Sequence, residues 1–323
     1  MRTIAAYTEK LGPTSLITYG PLEVPGPGPQ DVLIATHAAT VNPVDTFVRS
    51  GRFPTPVPLP LILGRDVVGR VIRAPESSPL TEGEWVWANS LGYEGRQGSA
   101  ADTAVAPVDR VYPLPRGVDP KVAVSLAHPA STAALAFAKV TIDPGETVLI
   151  GGGGGNVGAA AVTFAARSGA RVVATASPAD AARARKAGAS AVVNHHDPNA
   201  AEELQHEVGE GARVCWDTSG HMDYGLLAEL VAVGGEVLVT AAGPDPVPVP
   251  WAGLYTKDVT VRGFVHSRAG AKELARAAQA VNRLLAEGAL VENITKVLPL
   301  SQAARAHEEM EAGEVKGRIL LQP

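Results

Sequence analysis

Between Glu146 and Ala176 the chain reads Glu-Thr-Val-Leu-Ile, five consecutive glycines, Asn-Val-Gly, an alanine-rich stretch and then Arg-Val-Val-Ala-Thr-Ala. Gly153, Gly155 and Gly158 have the G-x-G-x-x-G spacing, directly after the apolar triplet Val148-Leu149-Ile150 and at the start of a helical stretch. A strand, glycine turn, helix and second strand within about thirty residues is a dinucleotide-binding unit. In this reading Gly153 allows the tight turn, Gly155 admits a pyrophosphate to the backbone, and Gly158 lets the helix pack on the sheet. Asn156 and Val157 open the amide-rich helix end that faces the phosphate charge.

The choice of dinucleotide depends on the end of the second strand. An NAD site places an acid about twenty residues after the turn, where it accepts from the ribose 2′-hydroxyl and repels a 2′-phosphate. Ala176 stands at about that place, so no carboxylate opposes a phosphate there. Ser177 can donate to a 2′-phosphate, and Arg183, Arg185 and Lys186 follow within reach. NADPH is therefore the expected cofactor, with Ser177 and one of Arg183, Arg185 and Lys186 as its 2′-phosphate contacts.

These groups need a scaffold. With 323 residues, 46% hydrophobic and 19% charged, the chain can bury the cores of about two domains. Its net charge of −5 and the lack of a polybasic run argue against nucleic acid or an anionic membrane as partner. The start lacks a signal-peptide pattern and no apolar run reaches membrane-spanning length, so a cytoplasmic location is expected. The single cysteine, Cys215, lies in the apolar run Val-Cys-Trp and reads as an inert core thiol. Up to about Pro120 the texture is short strands divided by proline and glycine turns, such as Val32–Thr36, Val67–Ile72 and Trp85–Ala88. Beyond it, helices alternate with the apolar runs Val172–Thr175, Ala191–Val193, Val214–Asp217, Glu236–Thr240 and Val259–Gly263, the pattern of a parallel sheet with right-handed crossovers. The proline run Pro244–Pro250 reads as a loop. The last strands, near Ile294–Leu300 and Gly317–Leu321, suit a return to the first domain, which both chain ends would then build.

The order of features resembles the medium-chain dehydrogenase/reductase superfamily, and within it the zinc-independent quinone oxidoreductases related to zeta-crystallin. The resemblance covers essentially the whole chain. It rests on Val41-Asn42-Pro43-Val44-Asp45-Thr46 with Arg49-Ser50-Gly51, Leu63-Gly64-Arg65-Asp66-Val67-Val68-Gly69, His128-Pro129-Ala130-Ser131-Thr132-Ala133, the glycine turn, and Val315-Lys316-Gly317-Arg318-Ile319. The implied fold is α/β: a doubly wound Rossmann domain over residues 121–263 and a GroES-like, mainly β domain from residues 1–120 with 264–323. A cleft between them for hydride transfer, and a homodimer, are also implied. The resemblance assigns Asn42 and Asp45 to the cleft wall near the nicotinamide, Thr132 to a place beneath its ring, and the backbone of Phe264 and Val265 to the carboxamide. Relatives place a serine or glycine, a lysine and a tyrosine around the 2′-phosphate. Here the tyrosine position is His195, which takes that role by transfer.

Two zinc ligands of the alcohol dehydrogenases in this superfamily, a cysteine and the histidine of Gly-His-Glu, are replaced by Asn42 and Arg65, so no metal is expected. Arg65 either binds an anionic substrate or pairs with Asp66. A quinone accepts hydride readily and its anion can collect a proton from solvent, so no strong protein acid is obligatory. Many relatives, enoyl-thioester reductases among them, have a tyrosine where this chain has Phe53, which favours quinone reduction over reduction of an enone or enoyl double bond. A non-catalytic, NADPH-binding crystallin-like protein is the third reading.

Overall fold

The chain opens with β1 (Arg2–Thr8), β2 (Ile17–Glu23), β3 (Asp31–Val41), α1 (Pro43–Ser50), β4 (Leu61–Ile62), β5 (Val67–Arg73), β6 (Trp85–Ala88), β7 (Thr103–Pro107) and β8 (Val111–Pro113). A long helix, α2 (Pro120–Phe137), leads into β9 (Thr147–Gly151), α3 (Asn156–Arg167), β10 (Arg171–Ala176), α4 (Ala181–Ala187), β11 (Ala191–Asn194), α5 (Ala200–Val208) and β12 (Ala212–Asp217). After α6 (Tyr224–Leu230), β13 (Val231–Val239), α7 (Trp251–Tyr255) and β14 (Thr260–Gly263), the chain closes with α8 (Ala271–Ala286), β15 (Ile294–Pro299), α9 (Ala303–Glu311) and β16 (Arg318–Gln322). The computed structural model describes residues 1–241 and 246–323; of the expected proline loop, Pro244 and Asp245 lie outside the described residues.

These elements form two units, Met1–His128 with Gly270–Glu287 and Glu292–Pro323, and Pro129–Ala269 with Gly288–Val291. In the first, β3 is the hub of a seven-stranded sheet in the order β15-β16-β3-β5-β6-β8, with β7 also pairing β3. Ile319, Leu320 and Leu321 pair with Val41, Thr40 and Ala39, so the C-terminal strand completes the sheet that the N-terminal segment began. Alternate residues of β3 (Val32, Ile34) and β5 (Val67, Val71) are buried with Val86 and Ala88, the two-residue period of a sheet with one face in the core. Helix α8 is tied to this unit where Trp87 Nε1 donates to Asn282 Oδ1 (2.9 Å) and Asn282 Nδ2 donates to the Pro113 carbonyl (2.9 Å).

The second unit contains a six-stranded, wholly parallel sheet in the order β11-β10-β9-β12-β13-β14. This is the doubly wound Rossmann arrangement, in which successive strands step outward from the central β9 to either side. Val148, Leu149 and Ile150 of β9 are fully buried, as a central strand covered on both faces requires, and each contributes about 1.5–3 kcal/mol of apolar burial. Cys215 on β12 is fully buried, and burial pushes its thiol up to about 12, consistent with an inert core side chain. Inside α2, Pro129 removes a backbone donor one residue after His128, where the chain passes from the first unit to the second.

Candidate active site

In the first unit the end of β3 runs straight into α1, and Asn42 is the hinge residue. Pro43 fits the first helical position, and Asp45 reaches back to accept the Asn42 N–H at 2.8 Å. Gly51 ends the helix in the left-handed conformation (φ 84°). This local geometry fixes Asn42 and Asp45 at the base of a buried polar cluster. Asp66 Oδ2 accepts from Thr40 Oγ1 (2.9 Å) and Asn42 Nδ2 (2.8 Å). Arg318, the first residue of β16, donates from Nη1 to Asn42 Oδ1 (2.9 Å) and from Nη2 to Thr40 Oγ1 (3.1 Å), with Nη2 3.7 Å from Asp66. Two carboxylates and two guanidinium groups thus share one nearly water-free site, their charges balanced.

Arg65 is buried and pairs with Asp45. Its Nε lies 3.2 Å from Asp45 Oδ1, both side chains are essentially buried, and its guanidinium sits 5.2 Å from the ring centre of Tyr93. Of the two alternatives read for Arg65, an anionic substrate or Asp66, neither includes this contact with Asp45. Burial drives the Asp45 carboxyl up to about 6 against the pull of Arg65; nearby Asp66 adds to the rise and the Asn42 hydrogen bonds reduce it. His128 Nδ1 is 3.8 Å from Asp66 Oδ1, and burial, followed by Arg65 and Arg318, holds this imidazole well below its ordinary range and so neutral at pH 7. Phe53 stacks on Tyr93 with ring centres 5.8 Å apart.

Thr40, Tyr93 and Arg318 are members that the sequence reading did not single out. Only Arg318 carried a signal, because a lone cation opening the apolar strand Ile319-Leu320-Leu321 must find buried partners.

In the second unit the glycine turn joins β9 to α3. The left-handed residue is Gly152 (φ 69°), which corrects the assignment of the tight turn to Gly153. Gly153 is a close-contact position instead: a Cβ there would come within 2.6 Å of the Ala174 Cβ. A Cβ on Gly158 would come within 2.0 Å of the Gly152 carbonyl oxygen, so this glycine seats the helix against the turn itself rather than against the sheet. The turn is pinned by the Gly152 N–H to Thr175 Oγ1 (2.9 Å), the Gly153 N–H to the Thr175 carbonyl (2.7 Å) and Thr218 Oγ1 to the Gly151 carbonyl (2.7 Å). Gly155 is exposed, and Asn156 and Val157 are half-buried at the helix start.

At the end of β10, Ala176 is buried, Ser177 and Arg183 are half-buried, and Arg185 and Lys186 are exposed. Ser177 and Arg183 converge on an acid that the sequence reading passed over. Asp180 accepts from Ser177 Oγ at 2.7 Å and from Arg183 Nη2 at 2.8 Å. His195, exposed just past β11, lies beside the Ala176 backbone; partial burial and then His196 lower its pKa. Thr132 is buried on α2. Phe264 and Val265 follow β14, at the far end of the sheet order from β11, with the Phe264 ring 6.2 Å from Trp216.

Residues 28–116 match the alcohol dehydrogenase GroES-like domain family, and residues 156–283 match the family described as zinc-binding dehydrogenase. The quinone oxidoreductase of Sus scrofa is 31% identical over 303 residues, covering 93% of this chain and 91% of that protein. The chain belongs to the quinone oxidoreductase family of medium-chain dehydrogenases/reductases. This oxidoreductase shares its fold with solved structures of differing equipment. A mycobacterial protein complexed with NADPH superimposes with a TM-score of 0.84 at 25% identity, over 99% of this chain and 100% of that one. A cobalt- and zinc-bound thermostable alcohol dehydrogenase from Pyrobaculum aerophilum also gives 0.84, at 26% identity and full coverage of both chains. Since the fold serves proteins with and without a named metal, the donor groups of this chain have to decide the question. No helix among the described residues is long and apolar enough to cross a membrane.

Proposed function

We propose that this oxidoreductase is an NADPH-dependent quinone reductase working without a metal ion. The observation that carries the metal-free reading is the buried cluster around Asn42. Asp45 is engaged by Arg65 and by Asn42, and Asp66 Oδ2 by Thr40, Asn42 and Arg318, while Asp66 Oδ1 faces His128 Nδ1 at 3.8 Å. An amide, Asn42, and a guanidinium, Arg65, stand at the two ligand positions and neither is a zinc donor, and a second permanent cation, Arg318, lies against Asn42 and Asp66. The residues therefore do not fit zinc, and no step is assigned to a Lewis acid.

The nicotinamide cofactor does fit. Gly155 and the first amides of α3 provide an open backbone approach for a pyrophosphate, since a Cβ at Gly155 would meet only the Gly152 carbonyl oxygen, at 3.1 Å. Ser177, Arg183 and His195 gather where a 2′-phosphate would be bound. When bound, NADPH supplies the hydride. Asn42 is held rigid by Asp45, Asp66 and Arg318, and with Asp45 it is assigned by resemblance to the wall near the nicotinamide, where Phe53 stacks on Tyr93. Thr132, Phe264 and Val265 are assigned to the nicotinamide end by resemblance.

A second reading, reduction of an activated carbon–carbon double bond, gains from Tyr93, whose phenol stands on the ring stacked against Phe53. A second copy of the chain is proposed as partner. On β13, β14 and α7, Val233, Val261, Trp251 and Tyr255 are exposed, and among the described residues β14 is the edge of its sheet, of the kind another chain can cover. Following nicotinamide absorbance with NADPH or NADH and a panel of quinones and enones tests the function. Turnover of quinones with preference for NADPH supports it; turnover confined to enones, or binding without turnover, contradicts it.

A further inference from the structure

The dinucleotide site contains a carboxylate in a place the strand-end rule does not cover. Asp180 lies four residues beyond Ala176, immediately before α4. Its side chain leans against the glycine turn so closely that a Cβ on Gly154 would come within 2.5 Å of the Asp180 Cβ and 3.3 Å of the Ala176 Cβ. The absent side chain at Gly154 is thus what admits Asp180 to the site. Its backbone is fixed too: the N–H groups of Asp180 and Ala181 both donate to the Ser177 carbonyl at 3.0 Å. From this position one oxygen holds Ser177 Oγ and the other holds the Arg183 guanidinium. Both side chains are only partly exposed, 29% for Asp180 and 15% for Arg183, so bulk water screens the pair incompletely.

We propose that Asp180 is a cofactor-selectivity residue that opposes the 2′-phosphate by occupying the two side chains that would bind it. This rests on the reading that Ser177 and Arg183 form the 2′-phosphate site. A phosphate entering there displaces the carboxylate from Arg183 and still faces its negative charge, whereas a ribose 2′-hydroxyl can donate to the same carboxylate at no such penalty. The acid missing at position 176 is supplied from the next turn, and the chain's discrimination between the two nicotinamide cofactors is narrow.

The test is calorimetric titration of the full chain with two nucleotide fragments, adenosine 2′,5′-bisphosphate and adenosine 5′-monophosphate. In Asp180→Asn the affinity ratio of bisphosphate to monophosphate is expected to rise about tenfold, and most of that gain should be lost when Arg183→Ala is added, leaving only the relief of direct charge repulsion. Asp180→Ser serves as a second variant should the first fail to fold. An unchanged ratio in the folded variants, or the same gain without Arg183, overturns the inference. Should the unmodified protein favour the monophosphate while Asp180→Asn still shifts the ratio, the selectivity role stands and the NADPH assignment falls.

Discussion

Asp45 is the residue whose chemistry is most altered by the fold. Its proton is held more tightly in the folded chain than in the unfolded one, because burial disfavours the carboxylate more than Arg65 favours it. The rise from 3.8 to about 6 corresponds to about 3 kcal/mol. With a raised folded value, the contribution to stability is fully present below about pH 4 and is lost as the pH climbs through about 6. Unfolding free energies of the unmodified protein and Asp45→Asn, measured between pH 4 and 7.5, should therefore show the unmodified protein losing ground to the variant as pH rises; a constant difference contradicts the burial of this group. Removing the partner is harsher. Arg65→Leu strands a buried acid and is expected to destabilise by about 3 to 5 kcal/mol in denaturant titration, whereas an exposed cation such as Arg185 should be replaceable at little cost.

The turn between β9 and α3 separates glycines needed for folding from a glycine needed for binding. At Gly158 an added Cβ meets backbone, the Gly152 carbonyl oxygen at 2.0 Å, so Gly158→Ala must move the helix start or the turn; a stability loss of about 2 kcal/mol or more is expected. Gly155 has an ordinary φ of −74° and one contact at 3.1 Å, so Gly155→Ala should keep its unfolding midpoint and lose about tenfold or more in NADPH affinity, read by fluorescence titration. Equal affinity in the folded variant would remove Gly155 from the pyrophosphate site. The strand and helix alternation around this turn was legible in the sequence because buried parallel strands are continuous apolar runs. Which of five adjacent glycines takes the left-handed conformation was not, since each of them can adopt it without steric penalty. Asp180 escaped for a related reason: its role depends on a turn after β10 that brings it back to Ser177, and spacing alone points to Ala176.

At the scale of the whole chain, the sequence suggests a first domain built from both chain ends but not what the pairing of β16 with β3 brings together. Arg318 reaches Asn42 across 276 residues of sequence, a contact set by the β16–β3 register rather than by any local pattern. The pairing of Arg65 with Asp45 was hidden likewise, since Asp66 is the nearer acid in sequence. The exposed Val261 on the edge strand β14, with Trp251 and Tyr255, leads to an expected sedimenting mass of twice one chain, reduced to a single chain by Val261→Glu. A single-chain mass for the unmodified protein would reject the dimer.

The metal-free arrangement of the Asn42 cluster is tested most directly by metal analysis paired with turnover. After exhaustive chelation and removal of all divalent ions, the protein should reduce a quinone with NADPH at its original rate, and added zinc should neither bind stoichiometrically nor accelerate it. Loss of activity on chelation, restored by one equivalent of zinc and abolished by replacing Asp66, would contradict the proposed function at its centre.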